Sequence, residues 1–371
     1  MAKGDSLADQ LFNRDSVGRL AGHFEEAGVF AAAPFVADVM TDLHQLELKA
    51  RINHIAAHLE TYLPRDFSLA DAAIRASLPP ALDPNLNDND FGAFIYAPLG
   101  VFVENQGLAN HFDASMSLLM TLTQRFSMEF SLRAFLNANQ NASLAYIRHW
   151  AGHDNYHVRR LASEGTRPRL PWGHKVGLTP DDTLPILDML YSDPTRFVTR
   201  SVANHLNDIA KFAPDAVVDR LKYWAKDAKQ DPDELDWMTR HALRSLVKTG
   251  HAEALQLLGY QTDATFSQAD ISLAPVIAMN SKVKFNATLT PTADGPLMID
   301  YVIDFAKASR KSSAKVFKIK RLNGKAHQKI DLSKSHHFDG TATTFRLHAG
   351  DHKIHLQVNG QIVASRAFVL R

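Results

Sequence analysis

Trp150–Gly165 reads WAGHDNYHVRRLASEG, Leu190–Lys211 reads LYSDPTRFVTRSVANHLNDIAK, and Trp237–Gly250 reads WMTRHALRSLVKTG. A shift of 40 residues superimposes the three: Arg160, Arg200 and Arg240 share one register, and Val158, Val198 and Met238 share another. A period near 40 built from helical pairs is the pattern of HEAT-type repeats. One such unit cannot bury its own apolar face, so its neighbours must, and the units stack into a curved solenoid.

The helical pattern extends outward from these repeats. LELKARINHIAAHLETYL and ASMSLLMTLTQRFSMEFSLRAFL carry apolar residues at helical spacing, separated by the Pro/Asn/Asp-rich loop LPPALDPNLNDNDFG. The spacing predicts a helical repeat domain over residues 1–262. From residue 272 the pattern changes. KVKFNATLT, LMIDYVIDFA, AKVFKIKRL, TFRLHAG and HKIHLQVNG are alternating or β-branched, with glycine, asparagine or proline turns between them. Such strands predict an immunoglobulin-like β-sandwich over 272–371.

The chain of 371 residues carries a net charge of only +1, which hides a strong polarity. From residue 271 onward there are 16 Lys/Arg against 6 Asp/Glu, leaving 25 basic and 34 acidic side chains before it. The tail is therefore at +10 and the helical part at −9, an asymmetry that favours a polyanionic partner. There is no cysteine, which excludes disulfides, thiolate metal sites and cysteine nucleophiles. No apolar run is long enough for a membrane span and the start lacks an apolar signal core, so a cytoplasmic protein, without a membrane partner, is expected.

Candidate chemistry gathers in four places, and each has two readings. In TRSVANHLNDIAKF, Val202, Leu206 and Ile209 form one side, while Arg200, Asn204, Asn207, Asp208 and Lys211 form the other. That second side is either a solvated face or the lining of a concave groove. In HVRRLASEGTRPRLPW, the carboxylate Glu164 is flanked by Arg159, Arg160, Arg167 and Arg169, whose planar forks suit phosphate oxygens. Here Arg160 either simply neutralises Glu164 or belongs to a binding wall, and Trp172 is either core or presented by the proline turn. The 40-residue shift aligns Glu164 with Asn204, so Glu164 and Asp208 fall on one wall in adjacent repeats. In TQRFSMEFSLRAF, Arg125, Glu129 and Arg133 stand at i, i+4 and i+8, which also describes a plain salt-bridge ladder. His153 and His157 have a metal-compatible spacing without further ligands at a fixed offset, and neither a metal nor a cofactor is expected. In the tail, the basic run Ala306–Lys325 includes Arg310 and Lys311 in a loop that either guards a sheet edge or tracks phosphates.

The motifs LFNRDSV, LELKARI, LTQRFSMEFSLRAF, HVRRLASEGTRPRLPW, SVANHLNDIAK and HALRSLVKTG…ALQLLGY, in this order, resemble the AlkC-type DNA alkylation-repair glycosylases. The resemblance runs from about residue 8 to residue 260. The family is related to the AlkD group, which shares the HEAT-like solenoid, and some members carry a C-terminal immunoglobulin-like domain. The resemblance implies excision of cationic alkylated bases, notably 3-methyladenine, from double-stranded DNA by a monomer that hydrolyses the N-glycosidic bond. It carries catalytic roles onto Glu129, Glu164 and Asp208. One departure is Met128, where relatives read closer to RFTSEFAIRPF, a change expected to alter how the lesion packs. A non-catalytic DNA-structure-binding relative is the alternative.

Overall fold

The computed structural model describes residues 6–85, 91–306, 313–341 and 345–371. Two compact units emerge: one runs to Ile209 and includes Trp224–His241, the other comprises Ala210–Tyr223 and Ala242–Arg371. In the first unit lie α1 (Leu7–Leu11), α2 (Arg14–Glu26), α3 (Ala32–Met40), α4 (Leu48–Tyr62), α5 (Phe67–Ser77), α6 (Ala97–Gly107), α7 (Phe112–Leu122), α8 (Leu132–Ala138), α9 (Gln140–Trp150), α10 (Tyr156–Glu164), α11 (Pro180–Leu190) and α12 (Arg196–Ile209). The chain continues through α13 (Pro214–Asp227), α14 (Pro232–Ala242), α15 (Arg244–Thr249) and α16 (Ala252–Leu257). No helix among the described residues is long and apolar enough to cross a membrane.

The 40-residue register corresponds to helix pairs whose second members stack: α10 packs on α12, and α12 reaches α14 through Arg196 and Thr199, which both bond Glu234. The starts of α10 and α11 are chemically marked. The side chain of Asn155 accepts from the His157 amide to cap α10, and Thr179 forms a capping box with Asp182 on α11. Two early motifs are joined by one side chain. Arg51 of LELKARI, 4% exposed, donates to the Phe12 carbonyl at 2.7 Å and to Asp9 at 2.6 Å.

The helical spacing over Ala114–Leu136 does not yield one helix. α7 stops at Leu122, α8 starts at Leu132, and the residues between them form a turn. The break is stabilised from outside the segment: the amides of Leu82 and Ala93 donate to the carbonyls of Gln124 and Arg125. Gly92, in the left-handed region at φ 72°, comes so close that a Cβ there would lie 1.9 Å from the Arg125 carbonyl oxygen. Only glycine fits.

The second unit holds a β-sandwich. Its strands are β1 (Phe266–Ser272), β2 (Val276–Ile277), β3 (Lys282–Pro291), β4 (Gly295–Phe305), β5 (Ser313–Gly324), β6 (Ile330–His337), β7 (Gly350–Val358) and β8 (Gln361–Leu370). They form a three-stranded sheet, β1-β3-β6, and a five-stranded sheet, β2-β8-β7-β4-β5. Phe285 and Leu289 from the first sheet and Ile299, Tyr301, Ile354 and Leu356 from the second share one core. Within TFRLHAG, residues 345–349 form no strand among the described residues, and their apolar side chains plug the sandwich instead, Phe345 against Phe305 with ring centroids 4.9 Å apart. β1, β2, β6 and β8, absent from the sequence expectation, complete the two sheets.

Candidate active site

The turn that interrupts α7 and α8 places Glu129 opposite α10. Arg160 Nη1 donates to Glu129 Oε2 at 3.0 Å, and Ser127 Oγ donates to the same oxygen at 2.7 Å. Arg160 also approaches Glu164 at 3.7 Å, while its guanidinium lies over the Phe197 ring, 4.4 Å from the centroid. One turn beyond Glu164, Arg167 Nη1 donates to Glu164 Oε1 at 2.6 Å, and its Nη2 and Nε donate to Asp208 Oδ2 at 2.9 and 3.0 Å. The three carboxylates predicted from sequence are thus strung on two guanidiniums: Glu129, Arg160, Glu164, Arg167, Asp208. The ladder Arg125–Glu129–Arg133 does not exist, because Arg125 donates instead to the carbonyls of Pro79 and Thr121.

Glu164 is 5% exposed, and burial alone would push its carboxyl upward. The charges of Arg160 and Arg167, and hydrogen bonds from Ser201 and Arg167, outweigh burial and hold it below the usual carboxylate value. It stays an anion. Ser201 on α12 completes its coordination, donating to Glu164 Oε2 at 2.6 Å. Behind it, His205 contacts the Ser163 carbonyl at 3.1 Å; burial, with the Arg167 charge, brings its pKa down to about 4, so it is neutral near pH 7.

Arg133 is the structural keystone of the 165–174 loop. Its side chain, 1% exposed, donates to the carbonyls of Gly165 at 3.0 Å, Arg167 at 2.8 Å and also His174. Burial, with the like charge of Arg167, lowers its pKa to about 10, still well above neutrality. The loop it clamps presents Trp172, 57% exposed at φ 65°, and the exposed Arg169. Trp172 is not core.

A cavity of about 310 Å³ opens on this constellation. Glu129, Glu164, Arg160 and Arg167 supply its polar wall, and Phe91, Phe130 and Trp172 are among its apolar lining. Asp208, 3% exposed, is not among the lining side chains; Arg167 stands in front of it. Met128 does not line this cavity but a neighbouring one, so it cannot touch a base held here.

The remaining sequence candidates separate. Arg159 is committed to Asp193, at 2.5 and 3.2 Å, and to two carbonyls of the turn before α10. Asn207 is buried rather than facing an open groove, because α12 is covered on nearly all sides; Arg200 and Asn204 are half-buried, Asn204 Oδ1 lying 2.8 Å from His241 Nε2. Lys211 is exposed and belongs to the second unit. Arg310 and Lys311 lie outside the described residues. Ser201, His205, Asp193 and Phe91 lie inside stretches already quoted, the first two in SVANHLNDIAK, but neither the period nor the apolar spacing sets them apart as site residues.

Residues 126–246 match the family described as DNA alkylation repair enzyme, and residues 267–371 match the C-terminal Ig-like domain of uncharacterised protein YhaZ. Uncharacterized protein YhaZ of Bacillus subtilis (strain 168) is 30% identical over 365 residues, 97% of this chain and 98% of that one. The structure of Pseudomonas fluorescens alkylpurine DNA glycosylase AlkC bound to DNA containing an abasic site analog is similar with a TM-score of 0.82 at 31% identity, over 99% of this chain and 100% of that chain.

Proposed function

Because this chain belongs to the AlkC-type family of DNA alkylation-repair glycosylases, we propose that it excises cationic alkylated bases, 3-methyladenine first and 3-methylcytosine in the same class, from double-stranded DNA by hydrolysis. The observation that carries this reading is the pair of carboxylates, Glu129 and Glu164, on one wall of an aromatic cavity of about 310 Å³.

A base methylated at a ring nitrogen already carries positive charge. When the bond from C1′ to the base nitrogen breaks, the electron pair goes to the base, which leaves neutral and needs no strong general acid. Positive charge then develops on the sugar. A fixed carboxylate about 4 Å away, at an effective dielectric near 20, stabilises that charge by about 4 kcal/mol, roughly three decades in rate. Water adds its oxygen to C1′ and gives its proton to one of the carboxylates. Glu129 stabilises charge from the cavity wall, Asp208 does so once Arg167 turns from it to a phosphate, and Glu164, kept anionic by its arginines, supports them. No cofactor enters the reaction.

The enzyme works as a monomer in the bacterial cytoplasm. Residues 1–262 carry the chemistry and residues 272–371 contact the DNA backbone through basic side chains, among them the exposed Lys318, Lys320 and Arg321 of edge strand β5. A glycosylase assay on defined lesion duplexes tests the reading. Free 3-methyladenine is released by the wild type and far more slowly by Glu129→Gln; binding without any base release identifies a non-catalytic DNA-structure-binding protein instead.

A further inference from the structure

Beside the catalytic cavity lies a larger one of about 520 Å³. Phe94, Phe126, Phe130 and Trp172 line both, so these rings form a shared partition. The far wall comes from α4, through Ile52 and Asn53, and from α6, through Val101 and Glu104. The lining is mostly apolar with a few placed polar groups, the character of a small-molecule site.

We propose that this second cavity seats the excised base: a neutral aminopurine, stacked on the shared aromatic rings and read along its amino edge by the carboxyl of Glu104. The inference rests on the glycosylase reading. Once the glycosidic bond is cut, the base has lost the charge that the carboxylates of the first cavity attract, and aromatic surface becomes its better environment. Glu104 suits the amino edge. Burial pushes its carboxyl up to about 7, against a hydrogen bond from Ser131 that pulls it down. A protonated carboxyl places a donor beside an acceptor, which matches the amino donor and neighbouring ring-nitrogen acceptor of adenine. The other titratable groups on the cavity are Lys49, whose ammonium donates to the Trp172 carbonyl, and His174; Glu60 lies behind Asn105, accepting from its amide at 2.7 Å.

The test is equilibrium binding of free 3-methyladenine to the full-length protein, followed by tryptophan fluorescence, with product inhibition measured in parallel. Wild type binds the base, and binding weakens about tenfold between about pH 6 and about pH 8.5. Glu104→Gln, whose amide also offers donor and acceptor, binds with no such pH dependence. Val101→Phe, which fills the cavity, loses binding by at least about tenfold and escapes product inhibition, while single-turnover excision stays within about twofold. Ile52→Phe replaces it if the first variant melts early. Wild-type-like binding in a folded cavity-filling variant overturns the proposal, as does an active enzyme that binds no free base. A protein that shows no excision yet binds the base in a Val101-dependent way sinks the glycosylase reading and leaves the site standing.

Discussion

Arg167 and Asp208 are 41 residues apart in the chain and joined by two hydrogen bonds, of 2.9 and 3.0 Å, onto a single carboxylate oxygen. The same guanidinium reaches Glu164 at 2.6 Å, so one side chain ties the end of one repeat to the end of the next. Removing the charge of Asp208 therefore has two effects. Asp208→Asn lowers excision of 3-methyladenine by about a hundredfold to a thousandfold, the cost of one lost stabilising charge. Its affinity for abasic DNA does not fall, because Arg167 is released toward phosphate. Single-turnover rates beside equilibrium binding check this; a fully active Asp208→Asn removes the residue from the catalytic set.

Glu129→Gln has a different signature. Arg160 keeps its place over Phe197 and its approach to Glu164, so the fold is held while one anion is lost from the cavity wall. Single-turnover excision falls by about a hundredfold or more for cationic and neutral lesions alike, because either bond cleavage puts the same positive charge on the sugar, whereas only cationic lesions also lose affinity. Rates and affinities on paired cationic and neutral lesions measure both effects.

Arg133→Gln acts through the loop. Three carbonyls lose their shared donor, so stability falls by about 3 kcal/mol. Amide hydrogen exchange across residues 165–174 accelerates as the clamp on Trp172 loosens. Denaturant midpoints and exchange rates together distinguish this from a remote loss of stability, which leaves the loop protected as in the wild type.

Glu104 supplies a stability signature of its own. The folded protein holds this proton up to about pH 7, whereas the unfolded chain releases it near the ordinary glutamate value of 4.5. Stability is therefore greatest below about pH 4.5 on this account, declines as pH rises toward 7, and levels off above it, a span of at most about 3 kcal/mol. Glu104→Gln lacks that decline. Urea unfolding at about pH 5 and about pH 8, wild type beside variant, gives the difference.

On the proposed function, binding to DNA is expected to fall steeply as salt rises. Replacing Lys318, Lys320 and Arg321 with glutamine lowers the slope of log affinity against log salt by about one for every phosphate these side chains neutralise. An unchanged slope assigns them to protecting the edge of β5 from other strands.

How much of this was legible in the sequence follows from what each feature depends on. The repeat was legible because stacking imposes the same demands every 40 residues, which is why Arg160 and Arg200 recur; the one wall expected for Glu164 and Asp208 is instead a chain in which Glu164 lines the cavity and Asp208 lies behind Arg167. The turn carrying Glu129 was not. Its residues keep helical spacing, and the groups that break the helix, Leu82, Gly92 and Ala93, lie more than a helix away in the chain. Burial of α12 on both sides was hidden for a similar reason: Asn207 and Asp208 look like a solvated face until the neighbouring helix and loop are placed over them. In the sandwich, Phe345 and Leu347 imitate a strand because apolar side chains serve a plug as well as a ladder. The family motifs pointed to the carboxylates; Ser201 and Arg133 stand in those same motifs, yet nothing there tied Ser201 to Glu164 or Arg133 to the loop carbonyls.

The alternation of anion and cation along Glu129, Arg160, Glu164, Arg167 and Asp208 makes the resting site its own counterion. Nothing that brings charge of one sign alone can displace these partners without stranding the other sign in a dry place. Intact duplex offers phosphates and no positive base, so it exchanges only half of the set. An alkylated nucleotide is a zwitterion, phosphate and cation on one sugar, and it can trade with both halves at once. On the proposed glycosylase reading, discrimination against undamaged DNA begins as a barter of ion pairs, before any bond to the sugar is strained.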